Sequence, residues 1–178
     1  MDPRRRVSRF VLTVSRLSAL AGRGLYTEAP LSRSKTSLFI RHVDGGSSNI
    51  YEMELAALTG PLYDVRQYGI HFVVSPRHAD LLLLTGPLTW NMRGPALAAF
   101  KAMPTPKRIV TVGFFPDTAG DDQTVDMLFV DSYAIAPLPG EMRAAVVDHI
   151  PGDPPTPELM IEQLLRLKTP KRRIFSRH

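Results

Sequence analysis

Apolar positions along this chain switch between a period of two and a period near 3.6, and the switches lay out strands and helices in turn. Residues 37–43 read Ser-Leu-Phe-Ile-Arg-His-Val, a β-branched and aromatic run that predicts an opening strand. A glycine-serine turn follows at Gly45, Gly46, Ser47, Ser48 and Asn49. Residues 50–59 then take up helical spacing until Thr59, Gly60 and Pro61 stop the helix. A short second strand is expected over 69–76, then a polar turn at Arg77, His78, Ala79 and Asp80. Leu81, Leu82, Leu83 and Leu84 are apolar on both faces, which suits a central strand covered by helices on each side. Residues 91–103 are helical in pattern, with Ala96, Leu97, Phe100 and Met103 on one face and Gly94-Pro95 expected to delay the start. Further strands are predicted over 107–113 and 144–150. A last helix is capped by Thr156, with Pro157 in its first position.

Strands and helices therefore alternate, which predicts an α/β fold: a three-layer sandwich with a mostly parallel, flavodoxin-like sheet. In such a sheet the loops after successive strands open on one edge, where ligands bind. Four loops qualify, at 44–49, 85–87, 113–116 and 151–154. Residues 114–140 follow neither period and hold Asp117, Asp121, Asp122 and Asp126, so a long, partly ordered loop is expected there.

Composition sharpens the picture at the ends. A chain of 178 residues, 44% hydrophobic, suits one domain with a real core. The formal charge of +5 is unevenly placed. Residues 1–36 carry eight basic and two acidic residues, a net +6, and residues 166–178 carry six basic residues and no acid. The stretch between holds eight basic and fifteen acidic residues, a net −7. The expected division is a basic N-terminal extension over 1–36, a folded domain over 37–168 and a basic tail over 169–178. Within the extension, Val7, Phe10, Val11, Val14, Leu17, Leu20 and Ala21 fall at helical spacing, an amphipathic helix suited to an anionic membrane surface, a partner or the chain's own domain. No stretch reaches the ~20 apolar residues a membrane span needs. An acidic centre, and basic residues without interleaved stacking aromatics, argue against nucleic acid.

The run SLFIRHVDGGSSNIYEMELAALTGPLYDVRQYGIHFV, continued by SPRHADLLLLTGP, resembles the small, cluster-carrying subunit of membrane-bound group 4 nickel-iron hydrogenases and the homologous 20-kDa subunit of respiratory complex I. The likeness extends over roughly residues 37–165. In the hydrogenase branch the turn reads Ser-Cys-Asn-Gly-Cys and is followed by an acidic residue; a Val-Gly-x-Cys element and a Pro-Gly-Cys-Pro-Pro-x-Pro element supply the remaining ligands of a four-iron cluster. Here the same frames read Ser47-Ser48-Asn49-Ile50-Tyr51-Glu52, Val112-Gly113-Phe114-Phe115 and Pro151-Gly152-Asp153-Pro154-Pro155-Thr156-Pro157. The resemblance thus assigns the four ligand positions to Ser48, Tyr51, Phe115 and Asp153. The chain has no cysteine at all, and a hydroxyl, a phenol, a phenyl ring and a carboxylate do not replace four thiolates.

What the resemblance implies is a non-redox structural or coupling subunit of a complex I-like or group 4 hydrogenase-related assembly, without a cluster or other cofactor. Tyr51 and Phe115, joined by Phe114 and Tyr63, are expected to fill the space of the lost cluster. The implied partners are a large-subunit homologue, other peripheral-arm subunits and membrane-arm subunits, with the chain peripheral on the cytoplasmic side of the membrane. Glu54 matches an acidic position past the second ligand, and Arg77 and His78 match a loop near the large subunit, so these three are candidate coupling or interface residues. The alternative is a flavodoxin-like enzyme or binding module, using the same edge for a flavin or small ligand. Ser48, His42, His149 and Asp153 lack the strained Gly-x-Ser-x-Gly elbow of a hydrolase. The aspartates of 114–140, with Asp153, do not fit a calcium loop.

Overall fold

A computed structural model describes residues 37–47, 49–113, 115 and 134–168. The expected amphipathic helix of 1–36, the tail over 169–178 and most of the acidic loop lie outside these residues, as do Ser48 and Phe114.

Five strands, β1 (Leu38–Asp44), β2 (Ile70–Phe72), β3 (Leu81–Thr85), β4 (Ile109–Val112) and β5 (Val146–Ile150), form one sheet in the order β2-β1-β3-β4-β5. Every pairing is parallel. This is the flavodoxin-type order, whose direction reverses between β1 and β3. The helices are α1 (Ile50–Thr59), α2 (Trp90–Ala102), the single turn α3 (Gly140–Arg143) and α4 (Pro157–Lys168).

Alternate side chains of the strands feed two cores, as the period of two requires. Leu38, Ile40, Leu81, Leu83, Val110 and Val112 pack with Leu55 and Leu58 of α1 and Met160 and Leu164 of α4. On the other face Val43, Leu82, Leu84 and Ile109 pack with Ala96 and Phe100 of α2 and with Met142 of α3. All five residues of β3 are buried, as the leucine run anticipates.

Three boundaries differ from expectation for tertiary reasons. β2 is three residues long: it pairs on one side only, and after Val73 donates to the Ile40 carbonyl at 2.8 Å the chain turns into a 3-10 turn, Pro76–His78. α2 starts ahead of Gly94-Pro95, with Pro95 inside the helix. The start is set by Thr89, whose hydroxyl accepts from Met92 N–H at 3.4 Å and donates to the Gly45 carbonyl at 3.0 Å. Replacing Thr89 with alanine is therefore expected to cost about 1 kcal/mol in a denaturant titration. Third, α3 lies between the loop expected over 114–140 and the strand expected from 144, where no element is predicted, and Met142, fully buried, holds it to the second core.

Candidate functional site

The carboxyl ends of the strands bring together the loops after β1, β3, β4 and β5. The first is held by Asp44, whose Oδ1 accepts from the amides of Gly46 and Ser47, each at 2.9 Å. Gly45 N–H donates to the Thr85 carbonyl at 2.8 Å, which ties the first loop to the end of β3. Asn49 then takes a left-handed conformation, φ 67°, and α1 begins.

Tyr51, in the first turn of α1, is buried, and its ring lies over Gly113. Gly113 has φ +84°, and a Cβ there would collide with the phenol, so the close approach needs glycine. The Tyr51 hydroxyl donates to Asp153 Oδ1 at 2.5 Å. Two of the four sequence-assigned positions, 102 residues apart, are thereby bonded to each other. Phe115 is also buried, but it packs in the core of the opposite face with Leu88, Leu138 and Met142. Tyr63 is bonded elsewhere: its hydroxyl donates to Glu158 Oε1 at 2.6 Å. That bond holds the Glu158 carboxyl below the usual carboxylate range and the Tyr63 phenol above its own.

Chemically, this donor set does not suit a four-iron cluster. None of these residues offers sulfur, the phenol and carboxylate are engaged with each other, and Phe115 has no donor atom. Among the described residues no group of three or more His, Asp or Glu gathers in a way that could hold a metal. Of the hydrolase candidates, the three among the described residues, His42, His149 and Asp153, bond to different partners.

A second polar group, which sequence reasoning did not join up, sits at the same edge. His42 Nε2 lies 2.9 Å from Thr85 Oγ1 and 3.5 Å from Glu52 Oε1. The Thr85 hydroxyl donates to Glu52 Oε1 and the Ser47 hydroxyl to Glu52 Oε2, both at 3.3 Å. Burial lowers the His42 pKa, against the opposing pull of Glu52 and Asp44. The available signal was a histidine two residues beyond Ile40, on the same face of β1 as the buried Leu38 and Ile40.

Of the candidate coupling residues, Glu54 is half-buried on α1, whereas Arg77 and His78 are exposed on the turn between β2 and β3 that packs on α2. α1 and α2 cover opposite faces of the sheet, so the structure does not bring these three together.

The edge also carries apolar surface. Met53 in the first turn of α1, Val74 just after β2 and Trp90 at the start of α2 are 66%, 87% and 53% exposed. Between α1 and α2 a groove of about 620 Å³ runs beside the C-terminal half of β1. Its walls include Leu55 and Ala56 on one side and Met92, Pro95 and Ala99 on the other, and Arg41, His42, Asp44 and Glu52 also line it.

Comparison with known proteins agrees with this architecture. A sequence profile of the family described as NADH ubiquinone oxidoreductase, 20 Kd subunit, matches residues 51–167. The chain is 40% identical over 128 residues to formate hydrogenlyase subunit 7 of Escherichia coli, covering 71% of this chain and 47% of that protein; it thus spans about half the length of that relative. It is 35% identical over 126 residues to a probable membrane-bound hydrogenase subunit, mbhJ, of Pyrococcus furiosus, covering 70% of each. Among solved structures it is similar to a chain of the membrane-bound sulfane sulfur reductase, an archaeal respiratory membrane complex, with TM-score 0.56, 25% identity and coverage of 75% of this chain and 71% of that one.

Proposed function

Starting from the fact that the chain belongs to the NADH ubiquinone oxidoreductase 20-kDa subunit family, we propose that it is a non-redox structural and coupling subunit of a membrane-bound complex I-like or hydrogenase-related assembly. The observation that carries this is the bond between Tyr51 and Asp153. Where the family resemblance places two cluster ligands, a phenol and a carboxylate satisfy each other and pin the loop after β5 to the start of α1. The mechanical task of a cluster, holding loops together, is kept by this bond. Its electronic task is not, because these side chains offer no thiolate to an iron.

A large-subunit homologue docks on the carboxyl edge. Three large apolar side chains, Met53, Val74 and Trp90, are presented there in a ring of polar loops, the kind of exposed apolar surface that protein partners bury. The arginines of the extension and the basic tail over 169–178 meet the anionic membrane surface or membrane-arm subunits from the cytoplasmic side. No helix among the described residues is long and apolar enough to cross a membrane, which suits peripheral attachment. Glu54 touches one neighbour and Arg77 and His78 another, passing movement between them; what supports this is that they lie on opposite faces of the sheet, with Arg77 and His78 exposed.

The test is anaerobic reconstitution of the whole chain with iron and sulfide, followed by metal analysis and paramagnetic resonance. The expected result is no retained iron and no cluster signal; a four-iron signal from this chain would overturn the proposal. Purification from the native membrane in mild detergent should also yield a discrete complex containing the large-subunit homologue.

A further inference from the structure

The open side of β1 poses a problem that the described residues do not solve. β1 runs to Asp44, yet its pairing with β2 ends at Ile40 opposite Phe72. The Ile40 carbonyl accepts from Val73 on the β2 side, whereas the Phe39 carbonyl accepts from Asp80 on the β3 side. By the same alternation the backbone groups of His42 and Asp44 face the open side. An uncovered strand edge is a template for unwanted pairing, and proteins commonly lay a helix or loop over it. Here the edge forms one side of the groove between α1 and α2, whose walls are largely apolar.

We propose that this groove is covered by the chain's own N-terminal extension, through the apolar stripe of residues 7–14. Three features point to this occupant. The first is shape: the spacing of Val7, Phe10, Val11 and Val14 puts them on one face of the amphipathic helix expected from the sequence, a stripe of roughly 10 Å, close to the length of the four β1 residues that run beyond the last pairing. Reach is the second. The residues between position 14 and the start of β1 at Leu38 span far more than the roughly 13 Å from Leu38 to His42, so the stripe arrives without strain. Charge is the third: the extension carries a net +6 and residues 37–165 a net −7, and the groove itself is lined by two carboxylates, Asp44 and Glu52, against one guanidinium, Arg41. The stripe fills the apolar walls, and the arginines lying off it stay outside. The inference is independent of whether the subunit carries electrons.

The test uses the full chain and reads amide hydrogen exchange at residues 53–59, 72–74 and 92–99. Val14→Asp should speed exchange at these amides about tenfold, with the core strands unchanged. Ala56→Arg, at an exposed wall residue, should do the same from the groove side. Equal exchange in the wild type and both variants would overturn the proposal. Protection that grows with protein concentration would place a second copy in the groove, and protection appearing only with phosphatidylserine vesicles would place the stripe on a membrane; either result also overturns it.

Discussion

Tyr51→Ala is expected to lower the unfolding free energy by about 3–5 kcal/mol in a urea titration, the range for deleting a buried aromatic ring. The ring is buried with its flank against Gly113, so its removal leaves a cavity that the tight backbone at Gly113 cannot close. Tyr51→Phe separates the two contributions. It keeps the ring and removes the hydroxyl that donates to Asp153, and because Asp153 is exposed the loss should be about 1–2 kcal/mol. A double-mutant cycle of Tyr51→Phe with Asp153→Ala should return most of that amount as coupling. Coupling near zero would mean that the bond does not tie the loop after β5 to α1, and the mechanical half of the proposed function would fall with it.

Lowering the pH from 7 to 5 is expected to cost about 2 kcal/mol of stability through His149 alone. Its Nδ1 lies 2.9 Å from Thr111 Oγ1, and its Nε2 is buried with no hydrogen-bond partner among the described residues. Burial disfavours the imidazolium and lowers the pKa from 6.5 to about 4, against a small opposing effect of Thr111. In the unfolded chain the same histidine takes up its proton near pH 6.5. The unfolded state therefore binds more protons throughout the window from 6.5 down to 4, and stability falls as pH falls through it. His42, whose pKa is also lowered by burial, acts with the same sign. Chemical denaturation from pH 7 to 5 should show the decline, and His149→Val should remove most of it. An unchanged slope in that variant would place the acid sensitivity elsewhere.

Both results turn on contacts between distant parts of the chain, and this is where legibility in the sequence stops. The pairing of Tyr51 with Asp153 was not foreseen, although both positions were singled out, because no local pattern says which of two sheet-edge loops will meet. Phe115 was expected beside Tyr51 and instead faces the other core; a residue just past a strand can turn to either side, and only the path of the chain after Gly113 chooses. Likewise His42, Glu52 and Thr85 come from a strand, a helix and another strand, and meet because β1 and β3 are neighbours in the sheet.

By itself the amino-acid sequence determined whatever is encoded within a few residues: β3 as a central strand from its unbroken leucines, α1 from its spacing, and α4 from Thr156 and Pro157. It also determined the absence of every thiol and the division of charge between acidic centre and basic ends. Tertiary structure alone decided the short reach of β2, the start of α2 ahead of Pro95, the Tyr51–Asp153 tie and the open side of β1. Propensity and periodicity act over one or two turns of chain, whereas each of these features is set by what the neighbouring strand, helix or loop leaves unsatisfied.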